Sequence, residues 1–333
     1  MNPIFPASYS TLCPNALAVL IADKFNLTHV SCKLLVKGVG DTYLVETPAT
    51  RFILRVYRSS HRSLPQIKEE VQLLQELKRA GVSVSYPVAD AKGGVIIKVN
   101  AAEGERHAVL FSYAAGATVK LLDENQLRNL GQEMARFHNV SAKLSLGEER
   151  WVFDANTTLY KPLELIRPAF VEDPVGYAWL EKVVNQVNDK VYSADSSTFS
   201  KGYCHFDFLP KNFHFEGEAI TLFDFDFMGH GLLVNDIMSF WQHLMLDVYT
   251  QRMTGEAARE AYKVFLVAYG EHRPVSTEEL ALVPYLSIGF WLFYMGFHTT
   301  HDQFYVYTQP GQVKAYTAIL KHIVENYWTE TEL

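Results

Sequence analysis

The sequence predicts an α+β fold of two lobes, a five-stranded antiparallel sheet with one helix followed by a mainly helical lobe. Three observations predict it. Short β-branched and aromatic runs separated by turn residues fill 30–58 and 94–113. From 123 onward, apolar residues recur at helical spacing. The change of character falls at Ala114-Ala115-Gly116, a short connection of small residues. With 333 residues and 48% hydrophobic content the chain can fill two cores, so the lobes are placed at 1–112 and 113–333.

Taken in order, the apolar stretch 16–22 reads as a helix packed on the body. It has no basic segment before it, runs into Asp23 and Lys24, and is far too short to span a bilayer. Strands follow at 30–37, 42–46 and 52–57, divided by Gly38-Val39-Gly40-Asp41 and Thr47-Pro48. A helix over 65–80 starts at Pro65, carries Lys78 and Arg79 in its last turn and stops at Gly81. Strands at 94–99 and 107–113 turn around Glu103-Gly104-Glu105. Helices are predicted over 123–145, within 174–193, and at 234–250, 255–270, 277–300 and 311–328.

The net charge of −7 disfavours a general nucleic-acid binder, which would carry a basic stripe. Residues 201–333 hold 8 Lys and Arg against 16 Asp and Glu, an acidic back half that suits a cationic substrate or is ordinary surface acidity. Cys13, Cys32 and Cys204, odd in number and without metal spacing, indicate a reducing compartment, and no stretch is long enough to span a membrane. A cytoplasmic protein is expected, with no nucleic-acid or membrane partner; the oligomeric state is not encoded in these features.

The chemistry lies in His205-Phe206-Asp207-Phe208-Leu209-Pro210-Lys211-Asn212 and, after an alternating segment, Asp224-Phe225-Asp226. Alone, the first stretch would read as a turn, since Asp and Asn favour turns. The intervening residues turn at Glu216-Gly217-Glu218, so they predict a hairpin that brings Asp224 back beside Asn212. Two carboxylates and an amide oxygen form a hard-oxygen site suited to Mg²⁺. Phosphoryl transfer needs such an ion plus one carboxylate to orient and deprotonate the attacking hydroxyl.

This pattern resembles the His-x-Asp-x-x-x-x-Asn catalytic loop, hairpin and Asp-x-Asp/Glu metal motif of the aminoglycoside phosphotransferase and choline- and homoserine-kinase-like family, cousins of the protein kinases. The resemblance implies a protein-kinase-like fold and an ATP- and Mg²⁺-dependent transfer of phosphate to a hydroxyl of a small molecule: an amino alcohol, amino sugar or hydroxy amino acid. It makes Asp207 the catalytic base, and Asn212 and Asp224 the Mg²⁺ ligands. Asp226 becomes a contact to substrate or metal, and Asp236 a brace for the loop. His205 becomes a loop-organising residue and His138 a structural one. Phe206 stands where the family has glycine, and Lys211 replaces a small residue; Lys211 would approach the transferred phosphate or face solvent.

The front half carries matching features in the same order. Gly38 and Gly40 form the turn expected over the phosphates, although two glycines alone are a weak signal. Arg55 stands where a strand lysine is usual, and would clamp phosphate oxygens with a different reach. Glu70 is the helix acid expected to pair with it, with Glu69 as the neighbour a slip in register would substitute. The segment 109–116 resembles the hinge, where backbone groups of Phe111 to Tyr113 would meet adenine.

Other signals rank lower. His298 and His301 lack the His-Glu-x-x-His pattern of a zinc helix. Trp291, Phe293, Tyr294 and Phe297 read as core, one or two of them lining an acceptor pocket. No Gly-x-x-x-x-Gly-Lys-[Ser/Thr] occurs. A Ser/Thr protein kinase is the alternative enzyme, but the short run from Asp226 to Asp236 leaves no room for a long regulatory loop. A nucleotide-binding pseudokinase without turnover is the alternative that Arg55 keeps open.

Overall fold

Side-chain alternation builds the first sheet. In the computed structural model, which describes residues 5–193 and 198–328, α1 (Pro14–Phe25) precedes β1 (Ser31–Lys37), β2 (Gly40–Glu46) and β3 (Arg51–Tyr57). Helix α2 (Leu64–Arg79), β4 (Ile96–Ala101) and β5 (Gly104–Ser112) follow. The strands pair antiparallel in the order β1-β2-β3-β5-β4. Tyr43 and Val45, Leu54 and Val56, and Ala108 and Leu110 alternate onto one face, where Leu17 and Ile21 of α1 cover them. The four Val and Leu side chains among them are each worth about 1.5–3 kcal/mol in transfer terms, so this face holds the sheet together. Helix α2 is set by a reciprocal capping box between Ser63 and Gln66, and ends where Gly81 takes φ +81°.

The chain then forms a second unit. By contacts, Met1–Ala115 and Thr221–Phe223 make one compact unit, and Gly116–Ile220 with Asp224–Leu333 the other. Leu222 groups with the first because it exchanges backbone hydrogen bonds with Ser83 and Ser85.

The second unit starts with α3 (Glu124–Ser141), the two-residue β6 (Trp151–Val152), α4 (Lys161–Ile166) and α5 (Pro174–Val187). Strands β7 (Lys201–Cys204), β8 (Phe213–Glu216), β9 (Ala219–Leu222) and β10 (Gly229–Leu232) carry the motif region. Helices α6 (Val234–Tyr249), α7 (Gly255–Gly270), α8 (Thr277–Leu280), α9 (Val283–His298) and α10 (Pro310–Tyr327) complete it. Helices α3 and α7 touch closely at Gly131, where a β-carbon would come within 2.3 Å of Phe265 O. Strands β8 and β9 form the predicted hairpin, with Gly217 at φ +61° in its turn.

The fold class is therefore as the sequence predicts, with three departures. The helix expected over 277–300 is two, because Ser276 and Glu279 cap α8 and Pro284 opens α9. Beyond the hairpin there is a small sheet, β6-β10-β7. It escapes sequence reading because its strands have two to four residues, and Gly202, Gly229 and Gly231 dilute their pattern. The helical turns over 156–170 are likewise broken by Pro162 and Pro168.

Candidate active site

The loop from His205 to Asn212 leaves β7 and is held from beneath. Asp236, fully buried in the first turn of α6, accepts from the backbone N–H of His205 (2.9 Å) and of Phe206 (2.6 Å). The same carboxylate meets His138 Nε2 of α3 at 3.0 Å, while His138 Nδ1 meets the Tyr269 hydroxyl of α7 at 2.9 Å. Burial pushes the His138 pKa down further than Asp236 lifts it. A neutral ring must then donate from Nε2 to the carboxylate and accept at Nδ1 from Tyr269.

Phe206 bends the loop at a cost. Its φ of +66° is left-handed, a region that disfavours bulky residues. What holds it there is its ring, fully buried and stacked on Phe153 at 3.8 Å, with the Phe293 edge at 5.1 Å. The glycine-to-phenylalanine departure thus exchanges backbone freedom for packing.

Above this floor, Asp207 is buried and partnered on one oxygen only. Asn212 Nδ2 donates to Asp207 O at 2.8 Å and to Oδ2 at 2.7 Å, and Lys211 Nζ lies 2.8 Å from the same Oδ2. Asp207 Oδ1 makes no hydrogen bond of normal geometry among the described residues, although the Tyr294 hydroxyl is near enough to feel the carboxylate. Lys211 is expected to reach phosphate or to face solvent; its side chain is 60% exposed, and its ammonium also pairs with Asp207. Burial lowers the Lys211 pKa, but the Asp207 charge and hydrogen bond, with Asp224, raise it more, so it stays cationic. Burial and then Asp207 push the Tyr294 phenol well above its usual value, with Asp224 and Asp226 adding to the effect. Three carboxylates therefore act on one neighbourhood.

Asp224 is exposed at the foot of β9 with φ +62°, and Asp226 is buried, its carbonyl accepting from Arg150 Nη1 at 2.7 Å. Among the described residues no group of three or more His, Cys, Asp or Glu is arranged as a metal cage. Mg²⁺ does not need one, since it usually takes one or two protein ligands beside substrate phosphates and water. Asn212 fits such a role. With its Nδ2 committed to Asp207, its amide oxygen remains available to act as a ligand.

The first unit holds the other expected residues. Gly38 and Gly40 lie at the β1–β2 turn, with Gly38 N donating to Gly40 O at 3.3 Å. Arg55, opposite Thr42 on β2 and Val109 on β5, sits against Gly40: a β-carbon there would be 3.3 Å from Arg55 Nε. Glu70 and Glu69 are both buried on α2. Phe111 lies opposite Ile53 and Tyr113 stacks under Arg51 at 4.1 Å, while the Ser112 amide is committed to Tyr86 O.

Sequence reading missed several participants. Asp41, beside Gly40, is fully buried with Arg106 (3.3 Å) and bonded to the Tyr9 hydroxyl. Tyr269 completes the brace beneath the loop, and Gln242 and Tyr316 line a cavity beside Asp207. The Gly40-Asp41 step was a visible signal for the first; helical spacing alone offered none for the others.

Comparison with known proteins places the chain in a family. Residues 31–276 match the model of the phosphotransferase enzyme family. A protein of Deinococcus radiodurans, described as uncharacterized, is 32% identical over 88% of this chain and 84% of its own. The homoserine kinase of Phenylobacterium zucineum is 27% identical over 85% of this chain and 84% of its own. Among solved structures, a microcompartment-associated aminopropanol kinase superposes with a TM-score of 0.74 and 19% identity, covering 96% of this chain and all of that one.

Proposed function

The chain belongs to the phosphotransferase enzyme family and is a small-molecule kinase with an alcohol group as acceptor, and on that premise we propose that it moves the γ-phosphate of ATP to a small hydroxyl compound with Asp207 as base. The observation that carries this is the asymmetry of Asp207. Its Oδ2 is fixed by Lys211 and Asn212, while Oδ1 is left without a hydrogen bond of normal geometry. A buried acceptor without such a bond is costly, and a substrate hydroxyl would satisfy it.

In the reaction, the acceptor oxygen forms a bond to the γ-phosphorus as the bond to the β,γ-bridging oxygen breaks and ADP leaves. The hydroxyl proton passes to Asp207 Oδ1. Asn212 and Asp224 would hold Mg²⁺, which supplies charge neutralisation at the phosphate oxygens. Asp226 serves metal or substrate. On the nucleotide side, Gly38 and Gly40 would cover the phosphates, and Arg55, supported by Glu70, would clamp them. Backbone groups near Phe111 and Tyr113 would meet the adenine. Asp236 and His205 organise the loop. Three free cysteines support a reducing, cytoplasmic setting, and among the described residues no helix is long and apolar enough to cross a membrane.

Relatives named for homoserine and aminopropanol suggest an amino alcohol, amino sugar or hydroxy amino acid, a suggestion that rests on those names alone and that the chemistry of the cavity beside Asp207 has to decide. The test of the reaction class is Asp207→Asn, assayed for ADP release over a panel of alcohols and for ATP binding. Turnover should fall about 10²–10⁴-fold with nucleotide binding kept. Unchanged turnover would remove Asp207 as the base.

A further inference from the structure

Beside Asp207, wholly within the second unit, lies a cavity of about 190 Å³ whose wall includes Lys211, Gln242, Trp291, Tyr294 and His298. It is open on one side and has room for a small polyol or monosaccharide.

Its charges cancel. Asp207 is the one carboxylate in the wall and Lys211 the one ammonium, and they are paired at 2.8 Å. No second acid is left in the wall to receive a substrate amine, and no second base to receive a carboxylate. Burial, with Lys211 nearby, lowers the pKa of His298 to about 4, so this ring is neutral at physiological pH. What the wall offers instead is neutral polarity. Gln242 Oε1, Trp291 Nε1 and His298 Nδ1 are each buried without a hydrogen-bond partner among the described residues. Gln242 Oε1 can only accept and Trp291 Nε1–H can only donate.

We propose that the acceptor of this kinase is an uncharged polyhydroxy compound, a small polyol or monosaccharide. The proposal rests on the kinase reading above and names its substrate class. A hydroxyl both donates and accepts, so neighbouring hydroxyls satisfy Gln242 and Trp291 together. An ammonium only donates and would leave Trp291 unmet; a carboxylate only accepts and would leave Gln242 unmet. The flat faces of Phe290, Trp291 and Tyr316 pack on the C–H surface of such a molecule. Those faces would also attract a quaternary ammonium, but its methyl groups would leave all three polar atoms without partners.

The test compares acceptors on one skeleton. D-glucose, D-glucosamine and D-gluconate, then glycerol, 3-amino-1,2-propanediol and glycerate, are assayed for ADP release and phosphorylated product, with choline alongside. In at least one set the uncharged member should exceed its charged counterparts in kcat/KM by about tenfold or more. Preference for the amine, the carboxylate or choline overturns the proposal, as does turnover of none. ATP binding with Mg²⁺, followed in parallel by thermal shift, separates the two failures: its loss sinks the kinase reading itself, whereas its retention leaves that reading standing. Gln242→Glu, nearly isosteric, should raise the ratio of amine to neutral kcat/KM by about tenfold, an effect a packing role would not produce. Trp291→Phe should raise KM for the uncharged acceptor by about tenfold with kcat nearly kept; a fall in kcat alone would count against the hydrogen-bonding role.

Discussion

At residue scale, Phe206 shows how a site tolerates strain. A left-handed backbone costs a side-chain-bearing residue about 1–2 kcal/mol, while removing a buried phenyl costs about 3–5 kcal/mol. Packing outweighs strain. Phe206→Gly, which restores the family's usual residue, should therefore destabilise the protein by about 1–4 kcal/mol in urea unfolding, because the ring stacked on Phe153 is lost. A stabilised variant would mean that the aromatic stack contributes little. The identity of residue 206 was plain in the sequence, and its conformational consequence was not, since φ is fixed by neighbours at 153, 290 and 293. Lys211 is similar: one position before Asn212, it is placed by the helical turn Pro210–Asn212 so that it meets Asp207 four residues back.

At the scale of elements, the loop brace couples α3, α6 and α7 through Tyr269, His138 and Asp236. Asp236→Ala would strip partners from two buried backbone N–H groups and from His138, so a loss of about 2–5 kcal/mol is expected. A double-mutant cycle with His138→Ala should show a coupling of about 0.5–3 kcal/mol; simple additivity would argue against a shared network. The brace also predicts a response to acid. Burial depresses the His138 pKa in the folded state, so the unfolded chain binds the proton more readily. Stability contributed by the neutral ring is then complete above about pH 6.5, the unfolded value, and declines as pH falls below it. His138→Gln should flatten the pH 5–7 part of the stability curve. Asp236 was legible from its place after the metal motif, and His138 from its helix. Tyr269 was not, because the meeting of α3 and α7 depends on Gly131 and on packing that spacing does not encode.

At the scale of the whole molecule, periodicity conveyed the fold class and the hairpin, since both rest on patterns within about twenty residues of sequence. Of the cavity beside Asp207, Trp291 and Tyr294 were offered by the sequence as pocket-lining residues, whereas Gln242 and Tyr316 were out of reach because they come from separate helices. Stability of the entire chain provides a readout of the nucleotide. A ligand bound only by the folded state adds about 2.7 kcal/mol at one hundred times its dissociation constant. ATP with Mg²⁺ should thus raise the melting temperature by a few degrees, and EDTA should remove most of that rise. Asp224→Asn isolates the metal's share. Asparagine tolerates the +62° φ of this position, and Asp224 is exposed, so the substitution leaves the apo protein near wild-type stability while removing the anionic ligand. The variant should keep a small ATP shift and lose the increment due to Mg²⁺. If that increment persists in full, the metal is held elsewhere, and Asp226 becomes the carboxylate to replace next.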